Sequence, residues 1–108
     1  MSDKPAPPYY AVIFSSVRTD NDDGYAQTID HMLDLGLKHP GCLGFDNVSE
    51  GDTSISVSYW KDLESIKSWK QVADHITAQK LGREKWYKSY TTRIALVERE
   101  YSYEKSEN

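Results

Sequence analysis

The side chains best able to do chemistry in this sequence are an imidazole and a group of aromatic rings. Most of them fall between Ile55 and Tyr90, the stretch that holds all three tryptophans. An imidazole can take up or release a proton near neutrality, which makes His75 a candidate general base or the axial ligand of an iron centre. Tyr59 and Tyr90 carry phenolic hydroxyls that could donate a hydrogen bond to a quinone-like oxygen. Trp69 and Trp86 offer flat faces for an aromatic ligand, Gln79 recurs one helical turn after His75, and Phe14 stands on the first apolar run. His75 and Tyr59 are therefore the catalytic candidates, and Trp69, Gln79, Trp86, Tyr90 and Phe14 the substrate-binding candidates. Each has a plainer reading. His75 could be a histidine bonded at a helix edge, Trp69 part of a packing stripe, Tyr59 and Tyr90 strand-end packing residues, and Trp86 with Tyr87 an anchor to a sheet.

The elements that must position these groups follow from periodicity. Residues 1–8 hold three of the four prolines and read as a loose arm, and order is expected over 9–103, with 104–108 a frayed tail. Tyr9–Val17 is apolar on both parities, as in a central strand covered on both faces. Arg18–Gly24 is a polar turn able to cap a helix in which Tyr25, Ile29, Met32, Leu33 and Leu37 share a face, ended by Pro40 and Gly41. A strand over 41–50, with Leu43 and Phe45 on one parity, turns at Glu50–Thr53 into a second strand. There Ser54, Ser56 and Ser58 alternate with Ile55, Val57 and Tyr59. The serine row is either a solvated face or a functional lining.

Asp62 is an N-cap for a second helix, whose core stripe would be Leu63, Ile66, Trp69, Ala73 and Ile76. His75, Gln79, Gly82 and Trp86 fall on another face, unless Gly82 ends the helix. The last strand is expected over Tyr90–Tyr103, its polar end suited to an arm laid on another subunit. Strand, helix, strand, strand, helix, strand is the split βαβ order (βαββαβ) of an α+β, ferredoxin-like fold: a four-stranded antiparallel sheet with both helices on one face. The face left bare predicts a symmetric homodimer packed sheet against sheet.

Composition excludes several classes. A chain of 108 residues supports one domain, and a net charge of −4 with scattered lysines and arginines provides no phosphate-tracking stripe, so nucleic acid is not an expected partner. Cys42 is the single cysteine, which removes intrachain disulfides and cysteine-based zinc clusters and suits a reducing compartment. His31 and His39 lack a second ligand at helical metal spacing, so no dedicated metal site is expected. No apolar run approaches the roughly 20 residues that span a bilayer, and a cytoplasmic protein without membrane contact is expected.

The run YWKDLESIKSWKQVADHITAQKLGREKWYKSYTTRIALVERE, together with VIFSSVRT and HPGCLGFDNVS, resembles the antibiotic biosynthesis monooxygenase domain family. The resemblance covers about residues 9 to 103 and implies a dimeric α+β barrel with a pocket between sheet and helices in each subunit. It further implies oxidation of an aromatic or quinone-like small molecule without an organic cofactor. Trp69 would then be the pocket wall and His75 or a tyrosine the proton acceptor or donor. A noncatalytic dimer binding a small aromatic molecule is the alternative. Haem-degrading relatives pair a first-strand asparagine with a helix tryptophan and a later axial histidine. Trp69 matches, but the first strand has Phe14, Ser15 and Ser16, and His75 follows Trp69 too soon, with Gln79 nearer the ligand position. Haem is therefore the disfavoured reading.

Overall fold

The chain runs β1 (Tyr9–Arg18), α1 (Tyr25–Lys38), β2 (Cys42–Glu50), β3 (Thr53–Trp60), α2 (Leu63–Gln79), β4 (Tyr87–Val97). This computed structural model describes residues 6–79 and 85–106, with side chains in α2 described as far as residue 75. The strands form one sheet in the order β2-β3-β1-β4, every neighbouring pair antiparallel. The βαββαβ order and this sheet make the fold the expected ferredoxin-like α+β arrangement. β1, apolar on both parities, is central, pairing Tyr10 with Trp60 on one side and with Leu96 on the other.

Local chemistry sets the joints. Asp62 accepts the backbone N–H of Ser65 at 2.8 Å, capping α2. Those Ser65 hydrogen bonds hold the Asp62 carboxyl below its ordinary range. α1 starts differently from expectation. Its N-cap is Gly24, in the left-handed region at φ 75 and without a side-chain cap bond, so the polar residues before it are used elsewhere: the Asp23 carbonyl accepts the Trp86 indole N–H at 2.9 Å. Gly41 admits no side chain, since a Cβ there would lie 2.0 Å from Ser65 Oγ. That close approach seats the first turn of α2 on the entry to β2.

Several boundaries differ from the periodic reading. β4 begins at Tyr87 and ends at Val97, and Glu98–Ser106 continue without regular structure, with Tyr101 and Tyr103 exposed. A register shift between Cys42 and Gly44 puts Leu43 out of the ladder, so Leu43 is exposed while Phe45 faces the helices. Leu63 is exposed because it stands at the first position of α2, before the helix meets the sheet. The Ile76 side chain and the question of whether Gly82 ends the helix lie outside the described residues. Among those residues no helix is long and apolar enough to cross a membrane. Among the described residues the tightly buried apolar side chains are Tyr9, Ala11, Trp60, Ile66 and Trp86.

Candidate functional site

The space between the helices and the sheet is a cavity of about 570 Å³, which explains why so little of that layer is tightly packed. Strand alternation decides its floor. In β3 the helix-facing parity is Ser54, Ser56, Ser58 and Trp60; in β1 it is Val12, Phe14 and Ser16. The serine row is thus a lining and not a solvated face. β2 adds Phe45, Asn47 and Ser49, and β4 adds Tyr90, Thr92 and Ile94. The roof is the expected face of α1, Tyr25, Ile29, Met32, Leu33 and Leu37, with Ile66, Trp69 and Ala73 from α2.

The walls differ in chemistry. At one end Trp69 stacks on Trp60, ring centroids 6.2 Å apart and planes at 22°, and Trp60 meets the His39 ring edge-on at 5.4 Å. At the other end Phe14 lies 5.7 Å from Tyr87 and 5.3 Å from Tyr90, with Tyr25 6.1 Å from Tyr87. Burial, then the neighbouring Tyr25 hydroxyl, pushes the Tyr87 phenol well above the ordinary tyrosine range, so it stays a neutral donor. Lys70 and Asp74, paired at 2.9 Å, bring the charges of the described lining. Burial also pushes the Cys42 thiol up, which removes it as a nucleophile.

Of the sequence-derived candidates, Trp69, Phe14, Tyr90 and Trp86 line this cavity together. Trp86 is also a packing anchor, 1% exposed, with its indole N–H spent on Asp23 and its ring edge-on to Tyr25 at 5.4 Å. The Gln79 side chain lies outside the described residues. Tyr59 is on the other side of the sheet, because neighbours on a strand point oppositely and Trp60 takes the cavity side. Its hydroxyl donates to Asp46 at 2.8 Å and its ring meets Tyr9 edge-on. His75 is exposed and outside the lining. Six residues at 3.6 per turn rotate it about 120° from Trp69. Asn47, Tyr87 and Met32 are lining residues that the sequence argument left out of the site. The alternation of β3 was the available signal for the floor, but it does not say which parity the helices cover.

Haem ligation finds little support in these residues. His31 and His75 are exposed, and His39 is tied at the end of α1, its Nδ1 accepting the Gly41 N–H at 3.0 Å. None of the three lines the cavity, so a histidine-ligated iron does not fit this site. Among the described residues no three His, Cys, Asp or Glu side chains gather at metal-holding distance.

The family model described as antibiotic biosynthesis monooxygenase matches residues 8–81. The chain belongs to this family. As a family member it is 43% identical over 109 residues to the uncharacterised YqjZ protein of Bacillus subtilis, covering all of this chain and 96% of that one. Among solved structures it is similar to Rv0793 of Mycobacterium tuberculosis, at TM-score 0.72 and 13% identity over 87% of this chain and 99% of the other. It is also similar to SnoaB, a cofactor-independent oxygenase of Streptomyces nogalater, at TM-score 0.64 and 8% identity over 89% and 97%. At such identities the two structures speak for the fold alone.

Proposed function

We propose that this protein is a monooxygenase-type oxidoreductase that takes a planar, electron-rich aromatic molecule into the cavity and oxidises it with O₂ without an organic cofactor. The observation that carries this reading is a cavity of about 570 Å³ walled by the Trp69–Trp60 stack and the Phe14–Tyr87–Tyr90 cluster, in a member of the antibiotic biosynthesis monooxygenase family. An activated ring CH₂ loses a proton, the carbanion passes electrons to O₂, and a C–O bond forms. The first proton returns to the peroxide oxygen, and the O–O bond then breaks as the second C–H proton and hydroxide leave as water. The sum is CH₂ + O₂ → C=O + H₂O: the carbon is oxidised by four electrons, O₂ accepts all four, and no external reductant enters.

The active form in this proposal is a homodimer. The sheet face away from the helices carries Ile13, Ile55 and Val57, with Val48 73% exposed, an apolar surface that a second copy would cover. Anthrone and naphthoquinol model compounds, with O₂ consumption followed in solution, test the enzyme reading. Uptake that yields the ring ketone and drops at least about tenfold in Trp69→Ala is expected. Binding of the same compounds without any uptake would replace the enzyme by a noncatalytic binding module. That alternative draws on one observation: no histidine lines the cavity to act as a base.

A further inference from the structure

The hydrogen bonds along the cavity floor fix the direction in which its hydroxyl groups point their protons. Asn47 Nδ2 donates to Ser56 Oγ at 2.7 Å and to Ser54 Oγ at 3.3 Å, while Asn47 Oδ1 accepts from Ser49 at 3.4 Å. One step along the strand, the Trp60 indole N–H donates to Ser58 Oγ at 2.8 Å. Amide and indole nitrogens only donate, so in each pair the serine oxygen is the acceptor and its own hydrogen is left over. Ser49, whose hydrogen goes to Asn47 Oδ1, lies 3.1 Å from Ser54 Oγ and takes the Ser54 hydrogen, whereas no protein acceptor among the described residues takes those of Ser56 and Ser58. The floor therefore offers two O–H donors two residues apart on β3, about 6.7 Å from one another.

A separate observation on the neighbouring strand points the same way. Ser16, paired with Ser54 across the β1–β3 ladder, is only 4% exposed and lines the cavity, which places its hydroxyl on the same floor. Opposite this floor, Met32, Leu33 and Leu37 of α1 present only apolar surface.

We propose that Ser56 and Ser58, joined by Ser16, form a row of hydrogen-bond donors that binds carbonyl or phenolate oxygens carried along one edge of the aromatic ligand. Asn47 and Trp60 act as positioning residues that hold the row in its donating orientation. The proposal rests on the reading of the cavity as an aromatic-ligand site and adds which side of the ligand is oxygenated and in what form. An edge rich in acceptors faces β3, and a hydrocarbon edge faces α1. When the ring CH₂ is deprotonated, the charge that spreads to such an oxygen meets donors already aimed at it, which need no reorientation.

The test compares 2-naphthol with naphthalene, which share a skeleton and differ in one oxygen. Binding of each to the wild-type dimer is followed by fluorescence, and the bound naphthol is titrated to naphtholate. Donors that favour the anion lower the bound naphthol pKa by about one unit relative to free naphthol, equivalent to about tenfold tighter binding of the anion. Ser56→Ala and Ser58→Ala should each return part of that shift, the double variant nearly all of it, and Ser56→Thr, which keeps the hydroxyl, should preserve it. Naphthalene affinity should stay within about twofold throughout, because these changes leave the aromatic walls intact. Naphthalene binding together with an unshifted naphthol, or a shift indifferent to all the serine variants, overturns the donor row alone. Failure of both compounds to bind overturns the aromatic reading of the cavity and this proposal with it.

Discussion

The two faces of β3 are reversed relative to what a lone α/β layer would need. In β3 the residues under the helices are Ser54, Ser56 and Ser58, while Ile55 and Val57 point to the bare side. Burying apolar area is worth about 25 cal/mol per Å², so a chain selected only to pack its helices would turn the isoleucine and valine inward. The reversal makes sense if each face has its own occupant. We propose a ligand on the serine side of β3 and a second copy of the chain on its Ile55 and Val57 side. Each face can be damaged separately.

The largest effect is expected from a charge on the bare face. Val57→Asp would leave an unpaired carboxylate in the proposed sheet-on-sheet contact, a penalty of about 3–5 kcal/mol, or roughly 10²- to 10³-fold or more in the dimer dissociation constant. Sedimentation should then report the mass of one chain, while naphthalene still enters the cavity of the monomer. A variant that keeps the wild-type mass would show that this face is not the interface. On the helix side the corresponding damage is Trp60→Ala. Trp60 is 1% exposed, stacked on Trp69 and bonded to Ser58, and its removal should cost about 3–5 kcal/mol in denaturant unfolding. Because Trp60 also holds the end of the donor row, ligand affinity should fall with stability in this variant, whereas in Val57→Asp the two should part.

A smaller, pH-dependent effect belongs to the bare face. Tyr9 donates to the Glu100 carboxylate, and that bond, followed by burial, pushes its phenol up to about 12. A folded-state value raised above the ordinary value near 10 means the contribution is complete below pH of about 10. It is lost as pH rises from there through about 12. Tyr9→Phe should therefore destabilise by about 1 kcal/mol at neutral pH. Its unfolding midpoint should converge with that of the wild type in strong alkali. A gap that stays constant across that window would mean that the bond to Glu100 does not set the difference.

Periodicity carried the fold a long way, because helices, turns and a central strand are local patterns. The Tyr25–Leu37 face, the cap at Asp62 and the doubly apolar β1 are where the sequence places them. Within the site, Trp69 was legible because it stands three residues after the buried Ile66 on one helical face. What periodicity cannot supply is the sign of a face. Alternation separates Ser54, Ser56 and Ser58 from Ile55, Val57 and Tyr59, but both assignments fit it equally, and habit places the apolar set under the helices. The same ambiguity groups Tyr59 with its aromatic neighbour Trp60, although adjacent strand residues diverge. The exclusion of Leu43 from the ladder depends on a register shift, a pairing property that no single strand encodes.

The smallest expected effects fall on the two residues that looked most catalytic in the sequence, and that makes them a sharp check on the assignment of the faces. His75 is exposed on a side of α2 turned away from the cavity, and Tyr59 is bonded to Asp46 across the bare face. His75→Ala should change stability by no more than about 0.5 kcal/mol, as surface substitutions do. Tyr59→Phe removes one partly solvated hydrogen bond and should cost about 1 kcal/mol or less. Neither should alter naphthol affinity, its bound pKa or O₂ uptake by more than about twofold, while Ser56→Ala, whose partner Asn47 is exposed, changes the bound pKa with little loss of stability. A large loss of uptake in His75→Ala with binding intact would mean that α2 turns in the liganded state to bring the imidazole over the ring. The helix side would then contain a base that the present arrangement keeps outside.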